Sequence, residues 1–300
     1  MVKLVTIVYG YACISALHPD IKTGGGSTLT YINKLPLEQR GDYLRAKARA
    51  NLKALPQLLR RNALNNIGAY RLPDSLLPMA DLGYYDIAEF YPLLRECGEV
   101  ANTYNMFLSF HPSQFFVLNS ATPYVVDNAI KNLNIFAQIL HAMQLDNHPT
   151  LLIHVGARST YPTQKAACDA FCDNYNLLSP LAQMYLAVEN DQSAHSIDSC
   201  VYINDRIRIP VVCDNAHYNK KSIQGISLRD SIQFALSTWG SRMPKLHLSS
   251  ERSPDGAHAH ADYILQRDLD SVLHGIGDKR TIIMVEAKLK DRAVQKILQG

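Results

Sequence analysis

The sequence predicts an α/β protein with a single (β/α)8 barrel, or TIM barrel, that spans residues 1–300 as one domain. Three observations favour this fold. Short apolar runs alternate with helical segments along the chain, and neither a linker nor a sequence repeat divides it. Six of the apolar runs are followed by a histidine, aspartate or glutamate, as barrel strands are when their carboxyl ends line a site. An open doubly wound sheet would gather such residues at one crevice instead.

The amino-terminal half begins with a β-branched run at residues 2–9, which predicts the first strand. The polar loop after it contains Gly24-Gly25-Gly26 but lacks the Lys-Ser/Thr ending of a phosphate-binding loop, so we interpret it as a mobile loop. Residues 37–65 carry leucines at helical spacing, and Pro56 is expected to kink or divide this helix. Residues 69–72 are the second predicted strand, which Pro73 ends. Helices at residues 85–104 and 124–143 precede predicted strands at 106–110 and 150–154.

The carboxyl-terminal half continues the alternation with four more pairs. Predicted helices cover residues 164–176, 197–204, 227–236 and 261–273. The predicted strands of this half are residues 185–189, 209–214, 245–249 and 281–286, each a short apolar run that leads into a polar residue.

Composition sets loose limits on function. The chain has 30 basic and 27 acidic residues, so its charge forces no conclusion about partners, although acids buried against metal would leave a more basic surface. The six cysteines form no CxxC pair, which is typical of reduced thiols in an intracellular protein. No apolar span is long enough to cross a membrane, and the first residues do not fit a secretory signal. We therefore expect a soluble protein of the cytoplasm, nucleoid or nucleus, with no obligatory protein partner.

The residues at the strand ends are those that bind metals or transfer protons. We expect one site that gathers His111, His154, Glu189, Asp214, His247 and Glu286, joined by His217 and by His258 from the cluster Asp255 to Asp262. Imidazole and carboxylate ligands without thiolates favour Zn²⁺, Mn²⁺ or Fe²⁺. So many candidates suit two or three ions, which could clamp the oxygens of an in-line phosphoryl displacement.

Each of these residues also has a structural interpretation. A single strand-end histidine is more often a hydrogen-bonded structural residue, Asp214 could cap a turn, and Glu286 could pair with Lys288. Lys245 lies two residues before His247, so both side chains point to the same face. Facing metals, this lysine could be neutral or carboxylated; otherwise it reaches solvent at the strand start.

In this order and spacing, several short motifs resemble the UV damage endonuclease family (UVDE/UvsE type), whose (β/α)8 barrel is similar to endonuclease IV. The motifs are Gly10-Tyr11, Arg71 followed by Leu76-Leu77-Pro78, His111-Pro112-Ser113-Gln114, Ile153-His154-Val155-Gly156, Val188-Glu189-Asn190-Asp191, Asp214-Asn215-Ala216-His217, Pro244-Lys245-Leu246-His247-Leu248-Ser249-Ser250, Asp255-Gly256-Ala257-His258 and Val285-Glu286-Ala287-Lys288.

The resemblance implies a DNA repair enzyme that acts on damaged double-stranded DNA. It implies cleavage immediately 5′ to UV photoproducts, meaning cyclobutane pyrimidine dimers and 6-4 photoproducts, by in-line attack of a metal-activated hydroxide. It implies up to three divalent ions, commonly Mn²⁺, with Zn²⁺ or Mg²⁺ as alternatives, and catalytic roles for Glu189 and Lys245. Gln114 and Phe115 match the family's lesion probe, although the second position is often Tyr in relatives. Tyr11 matches a residue that contacts the damage.

Basic residues on the loops of the same face could contact DNA phosphates or be ordinary surface charges. They are Arg71, Arg158, Lys220, Lys221 and Arg252.

Three other functions remain open from the sequence. A sugar isomerase or epimerase similar to xylose isomerase could use the same barrel with one or two metals. A DNA-binding protein without catalysis would not need Glu189 for binding. An abasic-site endonuclease would differ in substrate rather than in metal site.

Overall fold

Eight short parallel strands form a nearly closed barrel in the protein, for which a computed structural model describes residues 6–220, 225–252 and 259–300. The strands are β1 Ile7–Ala12, β2 Ala69–Leu72, β3 Phe107–Phe110, β4 Thr150–His154, β5 Leu186–Glu189, β6 Val211–Val212, β7 Lys245–Leu248 and β8 Thr281–Val285. Their hydrogen-bonded order is β6-β5-β4-β3-β2-β1-β8-β7, with every pair parallel. The predicted (β/α)8 barrel is confirmed.

The barrel has one weakly paired seam, between β6 and β7. The predicted strand at residues 209–214 keeps strand geometry only at Val211–Val212. Beyond it, a single parallel bridge joins Asp214 to His247, and His247 N donates to Cys213 O at 3.1 Å. The seam therefore closes at two predicted metal ligands.

The helices surround the strands. They are α1 Leu29–Lys34, α2 Leu37–Leu64, α3 Tyr91–Thr103, α4 Pro123–Ala142, α5 Gln164–Tyr175, α6 Pro180–Tyr185, α7 Ile197–Ile207, α8 Asn215–Lys220, α9 Leu228–Ser237, α10 Gln266–Ile276 and α11 Lys290–Gln299, with short 3₁₀ helices at Asp74–Leu76, Ala80–Leu82 and Ile87–Phe90. None of the helices within the described ranges is long and apolar enough to cross a bilayer.

The long helix α2 continues through Pro56 without being divided. Proline has no N–H to bond to the carbonyl four residues earlier, which is Leu52 O. In its place the buried Cys97 thiol of α3 donates to Leu52 O at 3.4 Å. A side chain of the neighbouring helix thus satisfies the carbonyl that Pro56 leaves without a backbone donor.

Two apolar clusters lie on the same side of the strands as the predicted ligands. Leu152, Ala187 and Val212 pack with Trp239, and each strand residue stands two positions before a ligand. Because side chains two apart on a strand point to the same side, His154, Glu189 and Asp214 project into the barrel above this cluster. The second cluster, Ala69, Ile282 and Met284, stands in the same relation to Arg71 and Glu286.

Two further positions explain how the interior is filled. Gly10 of β1 faces Ala69, where an added Cβ would lie 2.4 Å from Ala69 O, so only glycine fits between β1 and β2. The indole Nε1 of Trp239 donates to Val211 O at 2.9 Å, which anchors the base of the cluster to β6.

Candidate metal centre

Glu189, fully buried at the end of β5, is surrounded by histidines from other strands. Its Oε2 lies 2.9 Å from His111 Nε2 and 4.0 Å from His154 Nε2. Its Oε1 lies 2.9 Å from His247 Nδ1 and 3.5 Å from His217 Nδ1. The strand ends thus converge on one carboxylate.

Two more carboxylates complete the centre. Asp214 accepts hydrogen bonds from His217 N at 2.8 Å and from Ser249 Oγ at 3.3 Å. Glu286 Oε1 lies 3.4 Å from His247 Nδ1. The seven predicted ligands that the structure describes are therefore brought into one cluster.

The donor set fits divalent ions. Three overlapping groups have ligand atoms that all lie within 4.8 Å of one another: His111, Glu189 and His247; Glu189, Asp214 and His217; Asp214, His247 and Glu286. The buried Nδ1 atoms of His111 and His154 find no hydrogen-bond partner in the described part of the chain. Two buried acids, a third that is partly buried, unpartnered imidazole nitrogens and no thiolate suit a site for divalent metal ions.

The imidazoles carry different charges in the metal-free protein. Burial lowers the pKa of His111 to about 4, so this ligand is already neutral. Burial alone would lower the pKa of His217, but Asp214 and Glu189 raise it to about 10. The pKa of His247 is raised in the same way, by Glu189 and Glu286 against burial.

The pKa values of the two buried acids are also shifted in opposite directions. Burial alone would raise the pKa of Glu189, but His247 and His154 outweigh burial and hold it well below its ordinary value. Burial, with Glu189 nearby, raises the pKa of Asp214. Protonated imidazoles thus supply, without metal, the positive charge that the acids need.

Arg71 lies inside the centre rather than on an outer loop. Its guanidinium forms an ion pair with Glu286 Oε1 at 2.5 Å, so Glu286 pairs with Arg71 and not with the sequence neighbour Lys288. Arg71 also stands close enough to act on Lys245, which is fully buried. Burial and the Arg71 charge lower the pKa of Lys245 to about 7.

His260, which the sequence analysis did not choose as a ligand, lies at the edge of the centre beside Glu286. Its Nε2 lies 3.4 Å from Glu286 Oε2, and an isolated antiparallel bridge joins its backbone to Glu251. The predicted ligand His258 lies outside the described residues. The sequence analysis chose His258 because it ends the motif Asp255-Gly256-Ala257-His258, and that choice stays a prediction.

The predicted lesion probe lies beside this centre. Gln114 and Phe115 are exposed, and the Phe115 ring is 76% accessible. Both line a pocket of about 330 Å³ whose wall includes His154 and His217. An exposed aromatic side chain thus stands next to two predicted metal ligands.

Tyr11 does not occupy the surface position that a residue contacting damage would need. It is fully buried, its hydroxyl donates to Asn62 Oδ1 at 3.0 Å, and its ring packs on Tyr70 with centroids 5.2 Å apart. Tyr11 alternates with Gly10 and Ala12 on β1, so its side chain points outward to α2 instead of into the barrel. We therefore leave Tyr11 out of the DNA surface proposed below.

Comparison with known proteins identifies the family. The sequence profile of the family described as UV-endonuclease UvdE matches residues 7–300. The chain belongs to the UvdE family. Curated relatives named UV DNA damage endonuclease include those of Bacillus mycoides (strain KBAB4) and Bacillus cereus (strain G9842), each 29% identical and covering 97% of this chain and 93% of theirs.

Solved structures similar to this UvdE chain agree on the fold. The crystal structure of SacUVDE superposes with a TM-score of 0.87 at 24% identity, covering 98% of this chain and 97% of that one. Endonuclease IV from Thermus thermophilus gives 0.57 at 15% identity, over 82% and 93% of the two chains. D-psicose 3-epimerase from Clostridium cellulolyticum H10 gives 0.52 at 14% identity, over 81% and 91%. DNA and sugar enzymes share this barrel, so the barrel alone does not identify the substrate.

Proposed function

We propose that the protein is a metal-dependent DNA repair endonuclease that nicks duplex DNA immediately 5′ to UV photoproducts. The observation that carries the proposal is the three overlapping ligand groups beside the exposed pair Gln114 and Phe115. Membership of the UvdE family and the names of the Bacillus relatives support it. The proposed substrate is DNA with cyclobutane pyrimidine dimers or 6-4 photoproducts, and the proposed place of action is the chromosome.

The proposed ligands of up to three divalent ions, with Mn²⁺ the proposed metal, lie on strand ends and the loops that follow them. They are His111, His154, Glu189, Asp214, His217, His247, His258 and Glu286, with His260 a further candidate beside Glu286. Such ions, when bound, supply a Lewis acid for the phosphate and lower the pKa of an attacking water. The polypeptide contributes the fixed spacing of the acids and the surrounding histidines that keep Glu189 ionised despite its burial.

Lys245 and Arg71 are proposed to act at the inner wall of the centre. A lysine amine with a pKa of about 7 is largely neutral just above that pH, so it can accept a proton or be carboxylated to an anionic ligand. Arg71 fixes Glu286 through their ion pair and contributes a permanent positive charge near the phosphate.

Lesion recognition is proposed to use Gln114 and Phe115. Damaged steps are poorly stacked and cost less to open than intact DNA, and an aromatic wedge can fill the gap. The exposed ring of Phe115 meets this requirement. A small sugar would have no use for an exposed aromatic side chain at the mouth of the site, which makes the sugar epimerase the weaker alternative.

The test is nicking of a short labelled duplex with one defined photoproduct, compared with the same duplex undamaged and with an abasic site. We expect Mn²⁺-dependent nicking on the 5′ side of the photoproduct, and loss of nicking with chelator. Glu189→Gln should lower the rate by at least about 10³-fold while DNA binding persists, because it removes the central ligand charge. Glu99→Gln, on the exposed face of α3, is the matched control.

Two results would contradict the proposal. Nicking at the same rate in chelator would exclude the metal mechanism. Preference for the abasic duplex over the photoproduct would identify an abasic-site endonuclease instead.

A further inference from the structure

Two asparagines hold the strand ends of the metal centre together with their side chains. Asn190 and Asn215 each follow a proposed ligand directly, Glu189 and Asp214 respectively, and both are buried. A buried side-chain amide that both donates and accepts can replace a missing pair of backbone hydrogen bonds.

Each amide bonds to both backbone groups of a residue just beyond the end of the next strand. Asn190 Oδ1 accepts from Asp214 N at 2.9 Å, and its Nδ2 donates to Asp214 O at 3.2 Å. Asn215 Oδ1 accepts from Ser249 N at 2.9 Å, and its Nδ2 donates to Ser249 O at 3.0 Å. The two amides therefore link the ends of β5, β6 and β7 in sequence.

This linkage lies where the strands themselves supply the least pairing. β6 has only two residues in the sheet, and one bridge, Asp214 to His247, joins it to β7. The Asn215 amide adds two hydrogen bonds directly beyond that bridge. Ser249, whose backbone it holds, also donates its hydroxyl to Asp214 Oδ2 at 3.3 Å. Asn215 thus acts on the same two ligands as the bridge, although it is not itself one of the proposed ligands.

We propose that Asn190 and Asn215 are positioning residues that set the spacing of Glu189, Asp214 and His247 across the barrel seam, and so set metal affinity. This inference rests on the metal centre of the proposed function but not on its DNA substrate. Groups that orient metal ligands from behind commonly change metal affinity about 10- to 100-fold when removed.

The chain offers a matched control in Asn51. It is equally buried, and its amide forms the same pair of bonds with Gly25: Gly25 N donates to Oδ1 at 2.8 Å and Nδ2 donates to Gly25 O at 3.2 Å. Its Nδ2 also donates to Ser75 O at 2.8 Å. Asn51 holds loops that carry none of the proposed ligands, so Asn51→Ala removes a similar set of hydrogen bonds away from the centre.

The experiment titrates Mn²⁺ into metal-free wild type, Asn215→Ala, Asn190→Ala and Asn51→Ala by calorimetry. It also records the electron paramagnetic resonance of the loaded proteins. We expect the two centre variants to bind Mn²⁺ at least 10-fold more weakly than wild type, with weaker magnetic coupling between the bound ions. Asn51→Ala should bind within about twofold of wild type and keep the wild-type spectrum, although it melts at a lower temperature.

The outcomes separate this inference from the proposed function. Equal Mn²⁺ affinity in Asn215→Ala and Asn51→Ala would overturn the inference, and Asn190→Ala provides the same comparison if Asn215→Ala does not fold. Wild type that binds Mn²⁺ but does not nick damaged DNA would overturn the proposed function and leave the inference standing. Wild type that binds no Mn²⁺ would overturn both.

Discussion

At the scale of single residues, the metal centre depends on a balance between buried acids and histidines. Glu189 keeps its charge because histidines from β3, β4 and β7 surround it, not because it is near solvent. His111 and His217 lie in the same cluster, yet burial dominates the pKa of the first and carboxylates dominate that of the second. Metal binding must therefore displace protons from some ligands and not from others.

Mn²⁺ binding at pH 7.5 is expected to release at least about one proton per protein, because His217 has a pKa of about 10 and must lose its proton to bind a metal. Apparent affinity should rise as pH increases from 6 toward 10. Calorimetry in two buffers with different ionisation enthalpies measures the release. His217→Ala should abolish the release of this proton. His111→Ala should leave the release unchanged, since His111 is already neutral. Equal proton release in the two variants would contradict the assignment.

His260 and His258 can be separated by substitution. The distance of 3.4 Å between His260 Nε2 and Glu286 Oε2 predicts that His260→Ala weakens Mn²⁺ binding by about 10-fold or more. His258→Ala, at the ligand predicted from the sequence, is the neighbouring comparison. Elemental analysis of the dialysed proteins gives the metal content, and a loss confined to His258→Ala would restore the ligand predicted from the sequence.

At the scale of helices and strands, the sequence located the strands but not every boundary. The first strand, predicted at residues 2–9, is observed at Ile7–Ala12, and residues 2–5 lie outside the described residues. Buried parallel strands are continuous apolar runs, so β2 and β4 were predicted with their observed bounds. The predicted strand at 209–214 was too long, because apolar content cannot show where hydrogen bonding to a neighbour stops. Helices such as α1, α6 and α8 are six residues long and too short to show helical periodicity.

Contacts between segments distant in sequence could not be predicted, for a different reason. The ion pair of Arg71 with Glu286 joins positions 215 residues apart, and nothing local in either segment indicates it. Likewise, Pro56 suggested a broken helix because its compensating donor, Cys97, lies on another helix.

The contact of Cys97 with Leu52 predicts a coupling that can be measured. Cys97→Ala should destabilise the protein more in the wild type than in a Pro56→Ala background, where the new N–H at position 56 can bond to Leu52 O. We expect a coupling free energy of about 0.5–1 kcal/mol in a double-mutant cycle from urea unfolding. Strictly additive effects would show that the thiol does not serve this carbonyl.

At the scale of the whole molecule, the barrel separates the predicted metal ligands from the predicted lesion probe. The ligands project from strand ends over a packed apolar interior, while Gln114 and Phe115 stand on the loop after β3. The strand-end pattern predicted His111 as a ligand, whereas the assignment of Gln114 and Phe115 as the probe came from the family resemblance and stays a prediction. The burial of Tyr11 could not be foreseen, because an aromatic residue suits both a core and a surface.

Phe115→Ala should reduce the preference for damaged over intact duplex about 10-fold or more without changing the metal content, since the ring is far more exposed than any ligand. Leu64→Ala is a matched control, because Leu64 is 74% accessible and ends α2, away from the strand-end site. Competitive binding with damaged and undamaged duplexes gives the preference. An equal loss of preference in the two variants would show that Phe115 acts only as one exposed apolar side chain among others.

The packing of Trp239 gives the molecule a built-in optical probe. It is the single tryptophan of the chain, it is buried beneath the ligand-bearing ends of β4, β5 and β6, and its indole is bonded to β6 at the seam. Intrinsic fluorescence excited at the indole band therefore reports on one place only, directly below the metal centre. The wavelength and intensity of that emission can be used to follow three events in the unlabelled protein: binding of the ions, loosening of the seam and unfolding of the barrel.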